Sequence, residues 1–300
     1  MRRSGKHRIA LLTSSRADYS IYFPLLKELK KEKGIQTNII AFGSHTSSKF
    51  GNTINKISED GFKIAYRIKS FIQGDSPKDI SIAMGENIIA FSKIWKKENY
   101  DLIICLGDRY EMFAAVSSSI PFNIPIAHIS GGEVTLGAID NVFRDGLTIA
   151  SKIHFASTEL YKKRIIEILG TSDHVHNVGA LNIDNLKQLK LYSIKEFKKK
   201  FGIDLGKESI LITFHPETVS FEKNNEYIRE IVAALKELKN YQLIITMPNA
   251  DTMGNMIREK LKQFIAQNKN AIGVESFGTL GYLSCMKYCK MMLGNTSSGF

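Results

Sequence analysis

Short apolar runs alternate along the whole chain with longer stretches in which apolar residues recur at helical spacing. Arg8-Ile9-Ala10-Leu11-Leu12-Thr13 reads as a strand, followed by a polar turn, Ser14-Ser15-Arg16-Ala17-Asp18, and a helix over 21–33. Further strands are predicted at 37–42, 62–66, 101–106, 125–128, 153–155 and 175–178, with a long helix over 79–97 and another after Gly107-Asp108-Arg109. The second half repeats the rhythm. Strands at 209–214, 242–247, 271–274 and 291–293 alternate with helices over 224–238, 253–268 and 279–289. Such alternation predicts an α/β fold whose parallel sheets are covered on both faces. The stretch 182–207 is polar, Lys-rich and strandless, which predicts a junction between two Rossmann-like doubly wound domains, 1–185 and 186–300, facing a cleft. Ligands of such sheets bind at the carboxyl ends of the strands.

Several of those strand ends carry groups that packing does not require. The turn after the first strand lacks the Gly-x-Gly-x-x-Gly of a dinucleotide fold, which argues against NAD or FAD, and no cofactor is expected. Arg16 lies there as a candidate phosphate partner. Gly107-Asp108-Arg109-Tyr110-Glu111 sets three charges at the exit of an apolar strand, where they are costly unless paired or in use; the bland alternative is a helix cap. His128-Ile129-Ser130-Gly131-Gly132-Glu133 leads on to Asp140 and Arg144-Asp145. Its paired glycines let the backbone approach a ligand, and two neighbouring carboxylates in a cleft suit acid/base work. In the second half, His215, Asn249 and the run Gly294-Asn295-Thr296-Ser297-Ser298-Gly299 end three strands; the last suits an anion through small residues and exposed amides.

Composition narrows these readings. The 300 residues carry 43% hydrophobic and 24% charged residues, a globular mix, and 3 cysteines, too few for a disulfide framework. Core packing is expected for Cys105, Cys285 and Cys289, and no metal site. A net charge of +11 raises nucleic acid as a partner. The lysines, however, are interleaved with acids on helix-like segments, so no nucleic-acid site is expected. No apolar run reaches the roughly 18 residues that span a bilayer, and no secretory leader is visible, so a cytoplasmic protein without membrane contact is expected.

Taken in order, TSSRAD (13–18), GSHTSSKFGNT (43–53), GDRYEMF (107–113), HISGGEVTLGAID (128–140), VGAL (178–181), TFHP (213–216), MPNADT (247–252) and GNTSSG (294–299) resemble the hydrolysing UDP-N-acetylglucosamine 2-epimerases of bacterial sialic- and legionaminic-acid-type biosynthesis. The resemblance implies two domains of the glycosyltransferase-B type and a UDP- or GDP-linked amino sugar as substrate. It also implies a homo-dimer or homo-tetramer. The implied reaction removes the proton at carbon 2, eliminates the nucleoside diphosphate to a glycal, and hydrates it to a free manno-configured sugar. Asp108, Glu133 and Asp140 are then the acid/base candidates. Arg16, Arg109, His215, Asn249, Thr296, Ser297 and Ser298 are the nucleotide contacts, and Phe277 falls where the family holds the base. His45 matches a motif histidine.

There are departures from the family pattern. Some members carry an acid at the position of Ser130, and many have Arg-His at Arg144-Asp145. The family also continues beyond the phosphate loop, so the second domain is expected to be incomplete at Phe300. Two rivals share the architecture: a glycosyltransferase-B type transferase, and a non-catalytic nucleotide binder.

Overall fold

The computed structural model describes residues 6–47, 53–69, 74–248 and 254–296, with the backbone alone at 185–188. The chain divides into two compact units, one comprising Met1–Gly74 and Lys78–Lys187, the other Asp75–Pro77 and Gln188–Phe300.

The first unit runs β1 (His7–Thr13), α1 (Arg16–Lys31), β2 (Ile35–Ala41), α2 (Ile54–Glu59), β3 (Ile64–Arg67), α3 (Pro77–Lys97), β4 (Leu102–Leu106), α4 (Tyr110–Ser117), β5 (Ile126–Ile129), α5 (Asp140–Ala150), β6 (Ile153–Ala156), α6 (Glu159–Leu169), β7 (Val175–Asn177) and α7 (Leu181–Gln188). Its seven strands form one sheet in the order β3-β2-β1-β4-β5-β6-β7, every pairing parallel. Order reverses beside β1, the switch point at which doubly wound sheets open a ligand crevice. The period of two along β1 explains how both faces are covered. Ala10 and Leu12 enter one core with Phe42, Phe91, Trp95 and Met112, while Ile9 and Leu11 enter the opposite core with Tyr19, Tyr22, Leu26 and Ile57.

The second unit follows the same plan with α8 (Ile194–Phe201), β8 (Ser209–Thr213), α9 (Asn224–Glu237), β9 (Gln242–Thr246), α10 (Gly254–Gln267), β10 (Ala271–Val274), α11 (Gly278–Tyr288) and β11 (Met291–Gly294). Its sheet is β10-β9-β8-β11, again all parallel. Ile210 and Ile212 pack with Ile228, Leu261 and Phe264, and Leu211 packs on the other face with Phe197, Phe277 and Cys285. Among the described residues no helix is long and apolar enough to cross a membrane.

Two local readings change. The segment 14–18 is the start of α1 and not a free turn. Ser15 is the N-cap, and its side chain and that of Asp18 satisfy each other's backbone amides in a capping box. The strandless junction contains α7 and α8, the latter opened by a second capping box from Ser193 and Glu196 and anchored by buried Phe197.

The first core predicts its own sensitivity. Leu12 is fully buried in the cluster of Phe42 and Phe91. Leu12→Ala is expected to cost about 2–5 kcal/mol through lost burial and a residual cavity. Denaturant unfolding checks this, and a loss below about 1 kcal/mol would contradict that packing.

Candidate active site

Three strand exits of the first unit carry the polar groups singled out in the sequence. At the exit of β1, Asp18 is buried, and its Oδ2 accepts from Ser14 N (2.8 Å), Ser14 Oγ (2.7 Å) and Ser15 N (3.1 Å), while Oδ1 accepts from Ser15 Oγ (2.8 Å). Arg16 therefore opens α1 at a tightly fixed strand end, half-buried. Beside it, fully buried His45 bridges Thr13 Oγ1 (2.9 Å) and Thr53 Oγ1 (2.8 Å), joining the β1 and β2 exits. Burial pushes its pKa down to about 4, against the opposing pull of Asp18.

At the exit of β4, half-buried Asp108 pairs with Arg144 of α5. Arg109 grips the fully buried Glu111 instead, Nε to Oε2 at 3.2 Å and Nη2 to Oε1 at 3.1 Å. Burial holds the Glu111 carboxyl above its ordinary range despite that pairing.

At the exit of β5 the backbone turns through Ser130 and Gly132, both with positive φ (63° and 76°). The glycine is required there: a Cβ at Gly132 would lie 2.4 Å from the Tyr161 carbonyl oxygen. Glu133 follows, and its Oε1 accepts from Ser157 Oγ at 2.8 Å. Asp140 is the first residue of α5, half-buried, four residues before Arg144 and hence on the same helical face.

Arg144 gathers these groups. Only 4% exposed, it meets Asp108 with Nη2, and its Nη1 donates to the Glu133 carbonyl (2.7 Å) and Asn141 Oδ1 (3.3 Å). Asn141 in turn ties Thr135, accepting from its amide at 2.9 Å and donating to its carbonyl at 2.6 Å. The next residue, Asp145, pairs through both oxygens with Arg164 of α6, at 3.0 and 2.8 Å. Arg164 Nη1 also reaches the Gly132 and Glu133 carbonyls at 3.3 and 3.4 Å. The sequence motifs contained Asp108, Glu133, Asp140 and Arg144. Ser157 and Arg164 lie outside those motifs, and the buried His128, the first residue of its motif, carries no role in the sequence reading although it stands as a polar residue inside an apolar strand.

In the second unit, half-buried His215 follows β8, and its backbone is locked to Asn295. His215 N donates to Asn295 Oδ1 (2.8 Å), and Asn295 Nδ2 donates to the His215 carbonyl (2.9 Å). Gly294 makes this approach possible, since a Cβ there would lie 1.8 Å from the Thr213 carbonyl oxygen. Thr296 is half-buried. Asn249, Ser297 and Ser298 lie outside the described residues. Phe277, read as a base contact, is 7% exposed, with its ring against Phe197 and Phe201 (centroids 5.3 and 5.0 Å). Cys105 and Cys285 are buried and Cys289 half-buried, with 3.6 Å between the last two sulfurs. Among the described residues no group of three or more His, Cys, Asp or Glu is gathered as a metal ion would need.

The buried histidines generate a pH prediction. His45 and His128 both have pKa values pushed down to about 4 by burial, against 6.5 ordinarily. Between these values the unfolded chain binds protons that the folded chain does not. Their contribution is therefore complete above about pH 6.5 and is lost as pH falls toward 4, by up to roughly 1.4 kcal/mol per pH unit for each histidine. Urea midpoints at pH 7, 6 and 5 are expected to fall in that order, with a shallower fall in His45→Gln. A flat profile would overturn the assignment.

Residues 27–300 match the model of a family described as UDP-N-acetylglucosamine 2-epimerase. A Campylobacter jejuni protein named GDP/UDP-N,N'-diacetylbacillosamine 2-epimerase (hydrolyzing) is 35% identical over 98% of this chain and 77% of its own length. Escherichia coli polysialic acid biosynthesis protein P7 is 36% identical over 97% of this chain and 74% of its own. The crystal structure of the Neisseria meningitidis UDP-GlcNAc 2-epimerase bound to UDP-GlcNAc superposes with a TM-score of 0.79 at 19% identity, covering 97% of this chain and 78% of the other.

Proposed function

The chain belongs to the UDP-N-acetylglucosamine 2-epimerase family and is an epimerase of nucleotide sugars; we propose that it converts a UDP- or GDP-linked N-acetyl amino sugar and water into a free manno-configured sugar and the nucleoside diphosphate. The names of the relatives at 35% and 30% identity, both hydrolysing diacetylbacillosamine 2-epimerases, favour a 2,4-diacetamido-trideoxy sugar over UDP-N-acetylglucosamine itself. A homo-oligomer and a cytoplasmic setting are part of the same reading.

The observation that carries the mechanism is the clamp of Arg144 on Asp108 and on the Glu133 backbone, one helical turn from Asp140. Two-sided proton transfer at carbon 2 needs more than one carboxyl group held in fixed relation. One of the three removes the proton as the carbon 1–oxygen bond breaks and the diphosphate leaves. In the second stage water adds at carbon 1 while a carboxylic acid returns a proton to carbon 2 from the opposite face. His215, Thr296 and Arg16 support the departing diphosphate, with Asn249, Ser297 and Ser298 as further contacts. Arg109 and Phe277 enter more indirectly, Arg109 by holding Glu111 and Phe277 by supporting the loop after β10.

The test is incubation with candidate nucleotide sugars in deuterium oxide, followed by NMR. A released manno sugar carrying deuterium at carbon 2 is expected. Transfer of the sugar to an acceptor would favour a glycosyltransferase, and nucleotide binding without any free sugar would leave only a binder. Asp108→Asn is expected to lower turnover by about 10²–10⁴-fold while nucleotide binding persists. Retained turnover would remove Asp108 from the acid/base set.

A further inference from the structure

His128 is absent from the chemistry above, yet it is a fully buried titratable group beside it. It stands next to last in β5, fully buried. Its Nε2 lies 2.8 Å from the carbonyl oxygen of Gly107, and its Nδ1 lies 3.2 Å from Thr148 Oγ1 on α5. The Gly131 backbone closes over the ring, where an added Cβ would come within 3.0 Å of both Nδ1 and Thr148 Oγ1. One imidazole thus touches the β4 exit, the β5 loop and α5, the three elements that carry Asp108, Glu133 and Asp140.

The bond to Gly107 has a specific consequence. The Gly107 carbonyl belongs to the same peptide plane as the Asp108 nitrogen, so holding that oxygen sets the direction in which the chain enters Asp108. The Gly107 amide on the other side donates to the Ile129 carbonyl at 3.0 Å, so Gly107 is held at both ends. We propose that His128 is a positioning residue for Asp108, acting as an Nε2–H donor to the Gly107 carbonyl. This rests on the acid/base role read for Asp108.

The donor assignment follows from chemistry. A carbonyl only accepts, so Nε2 carries the hydrogen. Burial pushes the His128 pKa down to about 4 against the opposing pull of the Gly107 carbonyl, and the charged and titratable groups facing the ring, His154 from the paired strand β6 and Arg144 from α5, push it the same way as burial. The ring is therefore neutral, and Nδ1 is its unprotonated nitrogen. The Thr148 hydroxyl, which donates to the Arg144 carbonyl at 3.0 Å, lies beside Nδ1 at 3.2 Å. The arrangement resists protonation, and it keeps a second positive charge away from the Asp108–Arg144 pair.

Two variants separate positioning from mere packing. Gln carries its amide nitrogen at the reach of Nε2, whereas Asn reaches only the Nδ1 position. His128→Asn is expected to lower kcat by about 30- to 100-fold with KM within about threefold, as small misplacements of a catalytic group do. His128→Gln is expected to restore kcat to within about fivefold of the parent. Nitrogen-15 NMR of labelled histidine is expected to show the Nε2–H tautomer unchanged from pH 5 to pH 9. A parental kcat in His128→Asn, a kcat in His128→Gln as low as in His128→Asn, or titration near pH 6.5 would each overturn the proposal. Asp108→Asn assayed alongside distinguishes the two levels. If it keeps turnover, the reading of Asp108 fails. If it is inactive while His128→Asn is unaffected, only the positioning role fails.

Discussion

A guanidinium that is 4% exposed cannot remain without partners, because an uncompensated buried charge costs several kcal/mol. Arg144 meets that requirement with the Asp108 carboxylate from one strand exit, the Glu133 carbonyl from the next and the Asn141 side chain of its own helix. Satisfying this one cation therefore ties two strand exits to α5. Asp145, the next residue along α5, points about 100° further round the helix and grips Arg164 of α6, whose other contacts are the Gly132 and Glu133 carbonyls. The backbone around Glu133 is therefore held from two sides by adjacent residues of one helix, the second through its arginine partner.

The second unit solves a similar problem without charge at its β8 exit. Asn295 and the His215 backbone satisfy each other reciprocally, and Gly294 allows the two strand ends to approach. Beneath them Thr213 Oγ1 meets Thr246 Oγ1 at 2.7 Å and the Tyr282 hydroxyl at 3.2 Å. The neighbouring exits of β9 and β10 do use a clamp: buried Arg258 donates to the Pro248 carbonyl and pairs with Glu275. An end rich in hydroxyls and amides, with carboxylates set to one side, suits an anionic group.

Much of this was legible in the chain. The strands of both sheets follow from apolar runs that alternate between two cores, and the parallel order follows from the helices between them. The start of α1 was not read because Ser15 and Asp18 look like turn residues until their spacing is recognised as a capping box. The polar strand exits were legible because charge at the end of a buried strand needs a reason. Their partners were not. Ser157 meets Glu133 across 24 residues and Arg144 meets Asp108 across 36, distances at which local pattern carries no information. Phe277 was placed near the base by family position, which says nothing of which way a ring faces; its aromatic neighbours Phe197 and Phe201 come from α8, far back in the chain.

Asp145 shows why a departure from a family pattern is best judged together with its contacts. Taken alone, a carboxylate where many relatives have histidine suggests a weakened anion contact. In the fold it faces Arg164, 19 residues away, and the local charge is balanced. The same accounting applies across the first unit's site: Arg109 faces Glu111, Arg144 faces Asp108, and Arg164 faces Asp145. Three of the arginines that the exits display are matched to carboxylates, so their positive charge is largely spent on holding loops. The strand exits of the first unit are thus braced by ion pairs between arginines and carboxylates, whereas the β8 exit of the second is braced by amide and hydroxyl contacts.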